Sequence, residues 1–252
     1  MKKELKLQLP NVTLIAVTSI NIYETVRALL YSMRGIEFGE VVLVTHKKPF
    51  YLPGSIHYKY TEPLNNIDDF SYLMVYGLGE YVGTDYALIV HYDGFVVHPE
   101  NWKDEFLNYD YIGSPWRLPR DDEKDRYRDI DGNICRVGNG VSLRSKRLME
   151  LPKELNLEWK KMDSGLFNED CFICCENKHI FERAGMSIAP IEVAKYFGHE
   201  QMIPEIEAIE PFLFHQWRGK NEKYPRFKSI PRLFIKKIRK HIGKIKRWRI
   251  RG

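Results

Sequence analysis

The chain has 252 residues, 44% of them hydrophobic, and a net charge of +5. This suits one α/β domain with a tail or two small domains. No run of about 18 apolar residues occurs, so no membrane-spanning helix is expected. The charge is unevenly placed. From Arg226 onward there are twelve Lys or Arg and no acid, which leaves 27 basic against 34 acidic residues before it, a body of net charge −7.

The N-terminus is basic but leads into Pro10 and a short strand rather than the apolar core of a signal peptide, so a cytosolic origin is expected. Residues 11–18 read as the first strand, β-branched and ending at the polar pair Thr18-Ser19. Apolar residues at Ile22, Val26, Leu29, Leu30 and Met33 mark one face of a helix, with Asn21 as its cap and Gly35 as its stop. Further strands follow at 41–45 and near 56–60, so strand, helix and strand form the βαβ unit of a parallel sheet. A second helix is expected over 68–82. In such a sheet the ligand lies at the carboxyl ends of the strands, which places Thr18-Ser19, Thr45-His46 and Asp93 along one edge.

The stretch from Tyr86 to Trp102 organises the rest. Ala87 to Val90 has the length and composition of a buried parallel strand. It stops at His91-Tyr92-Asp93-Gly94, where imidazole and carboxylate at alternate positions of an extended chain point the same way and Gly94 permits a bend or a close approach. Asp93 as the closer of a turn and His91 as a packed histidine remain the alternative. Neither G-x-G-x-x-G nor a Walker-type G-x-x-x-x-G-K-[ST] follows any strand, which argues against a dinucleotide oxidoreductase and a P-loop NTPase.

The aromatic segment 109–116 suits a binding wall, and the charge-crowded run from Arg117 to Asn133 reads as an exposed loop. A glycine-bearing strand follows at 137–144, in which Gly138 and Gly140 flank Asn139. They mark either a ligand approach or a bulge. A short helix is expected over 145–151. Asn168-Glu169-Asp170 precedes a helical pattern from Cys171 to about Ala184, so the acids serve either to cap it or to catalyse. Residues 186–193 read as extended. Cys171, Cys174 and Cys175 with Cys135 lack a second ligand pair and read as packed, reduced thiols. His215 lies in an aromatic stretch before the tail.

Four segments in this order resemble the GT-A type glycosyltransferases, and within them a bacterial branch linked with surface polysaccharide synthesis. They are the strand ending Val17-Thr18-Ser19, the strand 88–95 with His91-Tyr92-Asp93, the strand 138–144, and Asn168-Glu169-Asp170 with its helix; His215 completes the pattern. The resemblance spans roughly Val12 to Trp217 and departs from the family's Asp-x-Asp by having His91 in place of the first acid. It implies a Rossmann-type nucleotide-binding sheet flanked by helices over residues 1–225, and the basic amphipathic tail over 226–252 lies outside it. It also implies a nucleotide-sugar donor and a saccharide or lipid-linked acceptor. Asp93, His215 and His91 would hold Mn²⁺ or Mg²⁺, and Asp170, or failing that Glu169, would be the general base of an inverting transfer. Thr18, Ser19 and His46 would border the nucleotide, and Gly138, Asn139 and Gly140 the sugar or acceptor.

In the tail, Ile235, Ile238, Ile242, Ile245 and Trp248 fall three or four apart with Lys and Arg between. Such a helix fits an anionic membrane surface, which implies a peripheral place at the inner face of a membrane. Packing against the acidic body and binding of nucleic acid rank behind that reading.

Overall fold

The computed structural model describes residues 6–124, 126–160 and 168–228. The basic tail helix lies outside the described residues. Among those described, nine strands form two sheets. The main sheet contains β1 (Leu7–Val17), β2 (Ile36–Thr45), β3 (His57–Tyr60), β4 (Tyr86–Ile89), β6 (Tyr111–Pro115) and β7 (Val137–Ser145), in the order β3-β2-β1-β4-β7-β6. The first four strands run parallel, and β7 joins β4 antiparallel. The β-branched cores of β1, β2 and β4 are buried almost without exception, as befits strands covered on both faces, while β3 at the sheet edge stays partly exposed.

The second sheet is small and sets the site. β5 (Gly94–Val96), β9 (Leu213–His215) and β8 (Gly198–His199) lie in the order β5-β9-β8. β5 pairs antiparallel with β9 so that Gly94 faces His215.

Around the sheets lie α1 (Ile22–Ser32), α2 (Ile67–Tyr72), α3 (Lys146–Glu154), α4 (Glu169–Cys171), α5 (Lys178–Arg183) and α6 (Ile191–Phe197). α1 ends as its sequence predicts, with Gly35 at φ +76, but Asn21 sits at φ +48 and its side chain makes no capping bond. α2 relaxes into a π-helical turn over Leu73–Gly77 and a 3-10 turn over Leu78–Tyr81. α4 passes into a second π-helical turn, Phe172–Glu176, before α5. The continuous helix read from Cys171 therefore starts two residues earlier and is wound unevenly. The segment read as extended over 186–193 is extended only to Pro190, where α6 begins; proline, lacking an N–H, is tolerated at a helix start.

The described part of the run 117–133 is largely exposed, as expected of a loop, with one exception. Tyr127 is buried with φ +56 and stacks on Trp116 at 4.5 Å and 22°. All four cysteines are free and buried. Among the described residues, no helix is long and apolar enough to cross a membrane.

Candidate functional site

A cleft of about 1270 Å³ opens at the carboxyl edge of the parallel strands. Its walls include Thr18, Ser19, His91, Asp93, Asn139, Gly140, Glu169, Asp170 and His215. These are nine of the eleven residues singled out from the sequence. The other two lie elsewhere. His46 follows β2, which is separated from β4 by β1, so its side chain falls outside the cleft lining. At Gly138, a Cβ would stand 1.7 Å from the indole of Trp116, so this glycine makes room for packing rather than for a ligand.

Thr18 and Ser19 leave β1 at the cleft floor. Ser19 Oγ accepts a hydrogen bond from the Leu64 amide at 2.8 Å, fastening the 61–66 segment to that edge.

The strand from Tyr86 delivers His91 and Asp93, though not by the extended geometry expected of it. His91 N donates to Gly94 O at 2.7 Å and Gly94 N returns a bond to His91 O at 3.2 Å, so Tyr92 and Asp93 form a two-residue hairpin tip. β5 then hands the chain to β9, which lays His215 against the hairpin. Gly94 has no alternative: a Cβ there would meet Val141 Cγ2 at 2.6 Å, His215 Cδ2 at 2.8 Å and the Phe214 carbonyl at 3.0 Å. As a result, one ligand atom from each of His91, Asp93 and His215 lies within 4.8 Å of the other two. His215 Nε2 is 3.8 Å from Asp93 Oδ1, and the two imidazoles meet edge to face at 5.4 Å.

The donor set suits a divalent ion. Two imidazoles and a carboxylate favour Mn²⁺ over Mg²⁺, which prefers oxygen alone. His91 Nε2 is buried without a hydrogen-bond partner, an unusual expense for a polar atom that a metal would relieve. Desolvation, then the neighbouring His215 and Arg144, pushes His91 down to about 3, so its imidazole is neutral and its lone pair available. Burial pulls His215 the same way, but Glu200 and then Asp93 outweigh it and raise its pKa.

In the same cleft, α4 presents the two acids and separates their roles. Asn168 makes no side-chain cap. Glu169 is turned inward, with Oε1 3.6 Å from Arg144 Nη2 and Oε2 accepting from Ser71 Oγ at 3.4 Å. Arg144 is wholly buried and also donates to Ser142 Oγ and to the Met74 carbonyl in the first π-helical turn. Asp170 faces the cleft instead. Its Oδ2 accepts from Asn139 N at 3.0 Å and its Oδ1 from Cys171 N at 2.8 Å. Burial foremost, then the nearby Glu169 carboxylate, pushes Asp170 up to about 7 against the pull of those two amides. A carboxylate with that pKa is matched to accept a proton near neutral pH.

Asn139 stands between the walls at φ +102 with every polar group engaged. Its carbonyl accepts from Tyr111 OH at 2.6 Å, its Oδ1 from Val141 N at 3.0 Å, and its Nδ2 donates to Glu200 Oε2 at 2.8 Å. Gly140 beside it leaves room for Glu169 Oε1 and His91 Cε1, which a Cβ would approach to 2.8 and 3.1 Å. Glu200 is the site residue that the sequence did not disclose. It sits in no motif, and only the pairing of β8 with β9 brings it beside His215.

A family model described as Protein of unknown function (DUF5672) matches residues 60–215, from β3 through His215. The chain belongs to that family. Its family segment thus contains the hairpin tip, both acids, Asn139, Glu200 and His215. No curated protein matches the chain. Among solved structures it is similar to the galactosyltransferase LgtC in complex with donor and acceptor sugar analogs, with a TM-score of 0.55 at 13% identity over 87% of this chain and 97% of that one. It is also similar to an active-site mutant of LgtC, with a TM-score of 0.50 at 11% identity over 87% and 92%. The likeness is one of fold, and the fold of this family member is that of the GT-A glycosyltransferases.

Proposed function

We propose that the chain is a glycosyltransferase that moves a sugar from a nucleotide-sugar donor to an acceptor hydroxyl. The observation that carries this reading is that a clustered His91, Asp93 and His215 and a proton-accepting Asp170 line one cleft of a GT-A sheet. The structural neighbour's donor and acceptor sugar analogs support the ligand class.

In this reading His91, Asp93 and His215 would hold Mn²⁺, which would supply Lewis acidity for the charge on the departing nucleoside diphosphate. Thr18 and Ser19 border the nucleotide. Asn139 and Gly140 line the sugar or the acceptor. Asp170 takes the proton from the acceptor hydroxyl as that oxygen attacks the anomeric carbon. Glu169, committed to Arg144, holds the wall in place and keeps the space behind Gly140 filled. A single base facing the leaving group, with its neighbouring carboxylate Glu169 occupied by Arg144 rather than placed as a nucleophile, supports inversion of configuration. The basic amphipathic tail supports a lipid-linked or saccharide acceptor at the inner face of a membrane, and with it a part in surface polysaccharide synthesis.

A thermal-shift screen of nucleoside diphosphates and nucleotide sugars, with and without Mn²⁺, tests the reading. A ligand that binds only the folded state raises the midpoint by mass action. The expected result is a Mn²⁺-dependent rise with one nucleotide, lost in Asp93→Ala. No rise with any nucleotide would defeat it. Once a donor is found, the anomeric configuration of the product by NMR decides inversion.

A further inference from the structure

Behind the three clustered ligand atoms stands Glu200, which follows β8 directly. Its carboxylate faces two ways. Oε1 lies 3.4 Å from His215 Nδ1, an ion-pair contact at which that buried nitrogen makes no hydrogen bond, so charge rather than a formed bond ties the two, and Oε2 accepts from Asn139 Nδ2 at 2.8 Å. The opposite side of the His215 ring, Nε2, is turned toward Asp93. The small sheet arranges all of this: β5, β9 and β8 lie side by side, so the hairpin tip, His215 and Glu200 come from three neighbouring strands. Asn139, the other partner of Glu200, is the residue whose amide holds Asp170 Oδ2. One carboxylate therefore touches the His215 imidazole and, through a single asparagine, reaches the Asp170 carboxylate.

An imidazole binds a metal through one nitrogen only if the proton stays on the other, and that proton needs an acceptor. Asp93 sits on the Nε2 side and can be a fellow ligand. Glu200 sits on the Nδ1 side and cannot reach the same cluster.

We propose that Glu200 is a positioning residue for the centre: it keeps the proton of His215 on Nδ1, leaves Nε2 free for the metal, and through Asn139 fixes the distance between that centre and Asp170. The inference rests on the reading of His91, Asp93 and His215 as metal ligands.

The test measures Mn²⁺ affinity of the whole chain by the electron paramagnetic resonance signal of free Mn²⁺, for wild type, Glu200→Gln and Asp93→Ala. Gln keeps an oxygen for Asn139 and removes the charge that holds the His215 proton. A lost outer partner of a ligating histidine costs about 10–100-fold in metal affinity. That weakening is expected in Glu200→Gln, with the metal-free unfolding midpoint close to that of wild type. Glu200→Gln binding as tightly as wild type, while Asp93→Ala does not bind, overturns the role of Glu200 and leaves the metal site standing. Absence of binding by wild type overturns both. NMR of ¹⁵N-histidine-labelled wild type adds a readout that needs no variant: neutral His215 is expected as the Nδ1–H tautomer, and the Nε2–H tautomer overturns the proposal.

Discussion

His91 and His215 lie ring against ring, yet their surroundings drive their protonation in opposite directions. The first is held neutral by desolvation, the second is held toward the proton by two carboxylates. Where His215 carries its extra proton, a metal entering the centre displaces it, and Mn²⁺ affinity is expected to rise as pH rises through the His215 titration. Calorimetry in buffers of different ionisation enthalpy checks this through the number of protons released; release of none would refute the assignment. Asp170 makes a second prediction at this scale. Its folded pKa of about 7 lies above the usual 3.8, so between those values the folded protein keeps a proton that the unfolded chain gives up. Stability from this group is full below about pH 4 and is lost as pH climbs through 7. Asp170→Asn cannot ionise. Its unfolding midpoint should gain on that of wild type from pH 5 to pH 8, while glycosyl transfer is lost; parallel midpoints across that range would remove Asp170 from the role of a poised base.

At the scale of elements, the site is built where strands meet rather than along any one of them. Gly94→Ala probes this directly. Its Cβ has nowhere to go between Val141, His215 and the Phe214 carbonyl, so β5 and β9 must part. Overpacking of this kind costs about 1–3 kcal/mol. A lowered unfolding midpoint together with weakened Mn²⁺ binding is expected, whereas unchanged Mn²⁺ binding would show that the register of β5 on β9 does not set the ligand cluster. The same geometry explains what the sequence could disclose. The long strands were legible because β-branched runs buried on both faces leave an unmistakable pattern, and the carboxyl-edge rule then pointed to Thr18, Ser19 and Asp93. His46 obeyed the same rule and missed the cleft, since only strand order, which no local pattern encodes, decides which strand ends share a cavity. Glu200 was invisible for the converse reason: β8 is two residues long, and its partner in space is fifteen residues away. The π-helical turns eluded the 3.6-residue period because each inserts a residue into it, and the carbonyl of Met74 in the first of them accepts from Arg144.

On the scale of the whole molecule, the body carries net charge −7 and the segment from Arg226 carries +12 by its Lys and Arg. The described part of that segment is anchored: Phe227 stacks on Phe95 at 5.2 Å and 28°, beneath the guanidinium of Arg27. A cut after Lys228 therefore spares the packing of β5 and α1 and removes only residues 229–252, whose spaced apolar residues and cations are proposed to meet an anionic bilayer. Each Lys or Arg near such a surface contributes about 1 kcal/mol, screened within a Debye length of about 8 Å at physiological ionic strength. The full chain is expected to float with vesicles containing phosphatidylglycerol, to release as salt is raised, and to ignore vesicles of phosphatidylcholine alone. The chain ending at Lys228 should stay in the soluble fraction while keeping its Mn²⁺-dependent nucleotide shift. If the tail instead packs on the acidic body, the shortened chain will unfold at a lower temperature and neither form will float. If it serves nucleic acid, polyanionic RNA will retain the full chain where vesicles do not. The charge division favours the membrane, because a body of net charge −7 opposes a polyanion that wraps around it, whereas a flat anionic surface can be met by the tail alone.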